Sequence, residues 1–310
     1  MKQFVLKGSL ASLRTPPNND ASADKPGKFW FVCALFFSML LLPSVSYALQ
    51  RSQADEIPHV NQQARENFVQ YIYADNNKAF AIAPGGAWAW TEGELSKEEA
   101  GANALQRCQR QTEQDCIIYS LNNEIVFDAK AWPGLWRLNH KTSQTKTVGV
   151  ARGNHFPNLR FNDKQGKPRS MQDFAGKITL VHFWGSWCPP CLREMPELLK
   201  MQAALKQNHG NKVAIILLQV REPFTESSKW AKKHQFDTLP LYDSGVKNSD
   251  DDILKTVDGK TYPDRKIAMA FPTSYVLDRK GRVLFTHKGP VKNWSEYLAF
   301  FSDVVNHNSK

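Results

Sequence analysis

Residues 183–191 read Phe183-Trp184-Gly185-Ser186-Trp187-Cys188-Pro189-Pro190-Cys191. The apolar run Ile178–Trp184 leads into this stretch and predicts a buried strand, and the residues from Pro189 to Gln207 predict a helix. The first cysteine therefore falls at a helix N-terminus. There the unpaired backbone N–H donors and the positive end of the macrodipole favour thiolate over thiol. This makes Cys188 the candidate nucleophile. Two intervening residues put Cys191 one helical turn further in, close enough to bond to Cys188 and less open to a partner, as a resolving thiol requires. Proline suits the first helical turn, where no backbone donor is missed, and Pro189-Pro190 stiffens the loop.

Downstream, strand and helix alternate. Val213–Val220 is a nearly continuous apolar strand, Glu226–His234 a helix, and residues 244–266 a polar insertion. Thr273–Leu277 and Val283–His287 flank the turn Asp278-Arg279-Lys280-Gly281 as an antiparallel hairpin, and a helix runs from Trp294 to Val305. Continuous apolar strands suit a sheet covered on both faces. The expected class is α/β, a central mixed sheet flanked by helices over residues 156–310, preceded by a small α+β domain.

These residues resemble the thioredoxin superfamily, and within it the exported TlpA/ResA/DsbE-like thiol:disulfide oxidoreductases. The marks are Asp173-Phe174-Ala175-Gly176-Lys177, Phe183-Trp184-Gly185-Ser186-Trp187 before the cysteines, Glu194-Met195-Pro196 after them, and Phe271-Pro272-Thr273 far downstream. The resemblance implies that Pro272 is cis and lies beside the disulfide. It implies that Glu194, on the helical face of Cys191, assists proton movement; a surface acid in an early helical turn is the plainer alternative. Cys188, Cys191, Glu194 and Pro272 are thus the expected catalytic set, with Trp187, Pro189, Phe271 and Thr273 meeting substrate. His182 departs from the family, which carries aspartate or asparagine there. It reads either as a proton relay or as a neutral, hydrogen-bonded core residue.

The N-terminal half is organised differently. Residues 1–48 carry a basic lead, the apolar run Phe29–Leu42, Pro43 and small residues ending at Ala48, the order of a secretory signal peptide. The run is shorter than the roughly 20 residues a spanning helix needs, although an uncleaved anchor is the competing reading. Residues 49–77 form a lead-in segment with a helix at Gln62–Tyr73. Residues 78–130 predict strands Ala79–Ala83 and Trp88–Trp90, a helix capped by Ser96 with Glu99 in a capping box and running to Arg110, and strands Cys116–Leu121 and Glu124–Phe127. Cys108 and Cys116 are expected to form a structural disulfide. The Ala104-Leu105-x-x-Cys108 helix and the second cysteine opening a strand faintly resemble a small module of secreted proteins. Residues 131–155 read as a linker.

The net charge of +10 falls to +7 without residues 1–48, and no basic run interleaved with aromatics suggests nucleic acid as a partner. The expected chemistry is dithiol–disulfide exchange on protein disulfides, in the periplasm or outside the cell, with no metal or organic cofactor. The family points to reduction, including of apocytochrome c cysteines, with a membrane thiol-reductant transporter as electron donor. An oxidase or isomerase of the same fold, or a partner-binding protein braced by its disulfide, are the alternatives. A peroxiredoxin-like peroxidase lacks its Thr/Pro-type segment here, and a zinc site lacks a second ligand pair.

Overall fold

Strand β7 (Ile178–Trp184) is the axis of a seven-stranded sheet and is buried along its whole length. In the computed structural model, which describes residues 52–138 and 146–307, the strand order is β13-β12-β7-β8-β9-β5-β6. The strands are β5 (Arg160–Asn162), β6 (Pro168–Ser170), β8 (Val213–Gln219), β9 (Leu241–Asp243), β12 (Thr273–Leu277) and β13 (Val283–Lys288). β7, β8 and β9 are parallel, and β12 and β13 antiparallel to their neighbours. The parallel pairs need crossovers. Helix α4 (Pro189–His209) and helix α5 (Phe224–Lys233) supply them.

The period of two sorts β7 into two cores. Ile178, Leu180 and Trp184 point into one cluster with Met195, Leu198 and Phe300. Val181 and Phe183 point into the other, with Phe156, Ile216 and Tyr275. His182 therefore belongs to the α4 face.

The N-terminal part builds its own four-stranded antiparallel sheet, order β2-β1-β3-β4, from β1 (Ala79–Ile82), β2 (Trp88–Thr91), β3 (Ile117–Leu121) and β4 (Glu124–Ile125). The sequence Ala79-Phe80-Ala81-Ile82-Ala83 alternates small and large. Its alanines meet helix α2 (Lys97–Gln109) across Ala100 and Ala104, while Phe80 and Ile82 face helix α1 (Gln62–Tyr73) and the rest of the chain. Ser96 caps α2 by accepting from the Glu99 amide at 3.1 Å. Cys108 and Cys116 are disulfide-bonded and tie the end of α2 to the start of β3.

The described residues, 52–138 and 146–307, form one compact unit. Its main hydrophobic cluster runs from Phe68 and Tyr119 through Trp132 and Trp136 to Phe285 and to Val304 of helix α7 (Leu298–His307). His59 lies at the join: its Nε2 is 2.9 Å from Asp303, and its ring contacts those of Trp132 and Phe300. Gln114 donates to the Leu284 carbonyl, and Lys288 pairs with Glu113 at 2.6 Å. The connection from α2 to β3 thus lies against edge strand β13, the position in a sheet most exposed to unwanted pairing.

Several elements differ from the sequence expectation. The strand expected at 124–127 stops at Ile125, and β1 at Ile82. The stretch read as a linker contains helix α3 (Trp132–Trp136), held because Trp136 is fully buried. The polar insertion holds a hairpin, β10 (Ile253–Lys255) with β11 (Thr261–Pro263), and the short helix α6 (Asp264–Ile267). Strands of three residues carry too little periodicity to be read from sequence, which is also why β5 and β6 were missed. The final helix begins as a 3-10 turn, Trp294–Tyr297. The expected signal segment, residues 1–48, and linker residues 139–145 lie outside the described residues. Among the described residues no helix is long and apolar enough to cross a membrane.

Because one cluster runs through both sheets, Phe285→Ala should cost about 3–5 kcal/mol and leave a single unfolding transition. Coincident urea curves by far-ultraviolet circular dichroism and tryptophan fluorescence check this. A separate early transition of the N-terminal sheet would contradict it.

Candidate active site

Cys188 is the N-cap of α4, and the Cys191 amide donates to its Sγ at 3.3 Å. The two cysteines are joined in a disulfide at the helix mouth. Cys188 exposes 3% of its surface and Cys191 none, so the outer and inner sulfurs are ordered as the spacing suggests, but the opening over Cys188 is narrow. Among the described residues no cluster of His, Cys, Asp and Glu could hold a metal ion.

The loop before the disulfide is fixed from the segment after β8. Trp187 donates its indole N–H to the Val220 carbonyl at 2.9 Å. Its ring lies so close over Gly185 that a Cβ there would sit 2.2 Å from the indole nitrogen, which accounts for glycine in Trp184-Gly185-Ser186-Trp187. The Glu222 carboxylate accepts from both the amide and the hydroxyl of Ser186, each at 2.5 Å. Burial pushes Glu222 upward in pKa, and the Ser186 bonds oppose this. Beside it Arg221, at φ +59°, makes a two-pronged pair with buried Asp264 at 2.5 and 2.7 Å, tying the insertion to the loop.

Across the disulfide, the Phe271–Pro272 peptide bond is cis. Phe271 meets Trp187 edge-on at 5.2 Å, with the Arg265 guanidinium 4.6 Å from its ring centre. Trp187, at 41% exposed, Pro189 and Met269 are surface residues on this side. Thr273 is fully buried: its hydroxyl donates to the Ala270 carbonyl at 2.6 Å, and its backbone lies between Phe183 of β7 and Lys288 of β13.

Behind the disulfide sits a buried polar pair. Glu194, one turn past Cys191 on the buried face of α4, is 2% exposed, and its Oε1 accepts from the Val291 amide. Its Oε2 lies 3.4 Å from His182 Nε2, and the Nδ1 of that ring is 2.8 Å from the Ser274 hydroxyl. Burial pushes Glu194 up to about 8 against the Val291 hydrogen bond, so at pH 7 it carries a proton. Burial, reinforced by His287, pushes His182 down to about 3 and keeps its imidazole neutral. Glu194 is therefore not a surface acid; only the fold, by bringing Val291 and β7 over α4, turns an i+3 spacing into a buried proton holder.

The structure gathers Cys188, Cys191, Trp187, Pro189, Phe271 and Pro272 at one end of the sheet, with Glu194 and His182 beneath. Sequence reasoning missed Glu222, Arg221 and Asp264. None carries a local signal, because each acts across 36 to 43 residues of chain.

The Redoxin family's model matches residues 151–299. The thioredoxin-like protein YneN of Bacillus subtilis is 30% identical over 161 residues, covering 50% of this chain and 81% of that protein. The thiol-disulfide oxidoreductase ResA of Bacillus thuringiensis is 29% identical over 145 residues, covering 47% and 74%. A solved thiol:disulfide interchange protein of the thioredoxin family from Chlorobium tepidum is 20% identical, covering 49% and 95%, with a TM-score of 0.37. The chain belongs to the thioredoxin superfamily, its C-terminal half being similar to YneN and ResA, and it is a thiol:disulfide oxidoreductase.

The two buried groups set opposite limits on stability. Glu194 holds a proton in the folded chain that the unfolded chain releases above about pH 4.5, so stability falls as pH rises from there to about 8. His182 refuses a proton that the unfolded chain accepts below 6.5, so stability falls as pH drops from there toward 3. Glu194→Gln should therefore be more stable than the parent above pH 8 and little changed below pH 4.5. Thermal midpoints across pH read this, and equal losses at both ends would refute the assignment.

Proposed function

We propose that the chain is exported through residues 1–48 and reduces disulfides of protein substrates, with Cys188 as nucleophile and Cys191 as resolving thiol. The observation that carries this is the disulfide at the mouth of α4, with Cys188 as N-cap and the Cys191 amide aimed at its sulfur. That amide and the helix N-terminus stabilise a thiolate at Cys188. The thiolate attacks a substrate disulfide, a mixed disulfide forms, and Cys191 attacks Cys188 to release the reduced product. Glu194 takes the proton Cys191 gives up. When a donor dithiol later reduces the Cys188–Cys191 bond, Glu194 returns a proton to Cys191 as it leaves.

Trp187, Pro189 and Phe271, beside Pro272, form the face that meets an extended substrate segment, with Thr273 buried beneath it. The family resemblance supports the reducing direction, apocytochrome c cysteines as one substrate class, and a membrane thiol-reductant transporter as the electron source. The Cys108–Cys116 bond is assigned a structural role, since it clips α2 to β3 away from this face. The second reading, a partner-binding protein with a merely bracing disulfide, draws on the 3% exposure of Cys188.

Cys188→Ser should abolish reduction of a protein disulfide in a turnover assay. Cys191→Ala, expressed in its own host, should accumulate mixed disulfides that dissolve on adding dithiothreitol, with the captured partners identified by mass spectrometry. A Cys188–Cys191 bond that resists dithiothreitol in the native chain, with no captured partner, would favour the bracing role.

A further inference from the structure

His182, Ser274 and His287 stand directly opposite one another on the adjacent strands β7, β12 and β13. Directly opposed residues share one face of a sheet, with side chains about 5 Å apart. The row therefore runs across the α4 face from beneath the disulfide to the sheet edge. At its inner end His182 Nε2 and Glu194 Oε2 face each other at 3.4 Å, neither atom making a well-formed hydrogen bond, and the Trp294 side chain also reaches Glu194. The other ring nitrogen of His182 is held by Ser274 at 2.8 Å. On its far side His182 is opposed by Leu217 of β8, which can carry no proton. The outer end is His287, half-buried, with its Nδ1 3.4 Å from the Tyr297 hydroxyl and its ring also hydrogen-bonded to the Pro290 backbone. His287 and Tyr297 line a cleft of about 500 Å³ between β13 and the N-terminal loops at 85–87 and 109–113.

We propose that Ser274 and His287 extend the buried Glu194–His182 pair into a proton path, opening at the cleft that the N-terminal loops form with β13. The path rests on the reading of Glu194 as the proton store of Cys191, and goes beyond it by assigning an exit. The groups facing it are Glu194 from α4, Ser274 from β12, Trp294, Glu296 and Tyr297 from the turn before α7, and, at the mouth, Lys288 paired with Glu113. Burial holds both imidazoles below their ordinary range, so at pH 7 each is neutral and has one nitrogen to accept and one to donate.

The proton balance closes over a full cycle. When the thiolate of a donor dithiol attacks Cys188, the Cys188–Cys191 bond breaks, both its electrons stay on Cys191 Sγ, and Glu194 gives that sulfur its proton. Glu194 is refilled from His182 Nε2, His182 takes a proton at Nδ1 from the Ser274 hydroxyl, and Ser274 is refilled through His287 from water in the cleft. The imidazoles are left in their opposite tautomers. When Cys191 later loses its proton to resolve a mixed disulfide, the same proton travels outward and the tautomers reset. His182, Ser274 and His287 are positioning residues here, since none touches the sulfurs.

The test is stopped-flow reduction of the oxidised full chain by dithiothreitol, followed by tryptophan fluorescence from pH 5 to 9. Rates are taken as ratios to the parent, so that the reductant's own ionisation cancels. Ser274→Ala and His287→Ala should each slow reduction about tenfold at pH 7, below the roughly 10²–10⁴ of complete general acid–base catalysis because water can leak in. Ser274→Thr, which keeps the hydroxyl, should stay near the parent rate. Added imidazole should restore His287→Ala through the cleft and leave Ser274→Ala slow. Parent-like rates for both alanine variants alongside a slow Glu194→Gln would overturn the path and leave the Glu194 reading intact. A parent-like Glu194→Gln would overturn the reading beneath it. Slow alanine variants that neither imidazole nor threonine restores would assign these residues a packing role and also end the proposal.

Discussion

Everything at the functional end of this chain depends on the first turn of α4, where the Cys191 amide, the one N–H left in that turn by Pro189 and Pro190, points back at the Cys188 sulfur. A helix of 21 residues supplies the dipole and β7 sets where it begins, but the turn works only if the loop between them holds still. Gly185 lets the Trp187 indole fold over the backbone, Val220 takes its N–H, and Glu222 grips Ser186 twice. A carboxylate bonded to one amide and one hydroxyl of a short loop removes the freedom that a pair of prolines only reduces. The pair between half-buried Arg221 and buried Asp264 carries the same restraint outward to the insertion, and Trp187 meets Phe271 across the disulfide.

Beneath that surface the chain accepts an unfavourable burial. A carboxyl and an imidazole are both shut away from water, and the cheapest state keeps each neutral: the carboxyl protonated, the ring unprotonated. Their facing atoms are separated by 3.4 Å, a distance across which a proton can be handed over with no net charge entering the core. The N-terminal part matters here because its loops at 85–87 and 109–113 line the cleft beside the outer end of the row. The module that carries no cysteine of the active pair thus shapes the surroundings of the pair.

The sequence was most legible where one strand or helix is decided by its own neighbours. The apolar run into Trp184, the strands at Val213 and Thr273, and the cysteines at a strand-to-helix junction could all be read directly, since burial on both faces and helix capping act within a few residues. Ser96 as a cap and the alternating Ala79–Ala83 segment were equally plain. What escaped were the three-residue strands, α3, and the hairpin inside a stretch read as polar insertion. These owe their form to partners far along the chain: α3 to the burial of Trp136 against α7, and β5 to pairing with β9.

By itself, then, the amino-acid order determined which residues could do the chemistry: a Cys-Pro-Pro-Cys at a helix start, a glutamate three residues on, and a histidine in the strand behind. Helical and strand periodicities are local and suffice for that. Whether Glu194 was a solvated acid or a proton held in the core, and whether His182 faced it, only the tertiary structure decided. A carboxyl's protonation depends on the water and charges around it, and those came from Val291, β12 and β13, about a hundred residues away.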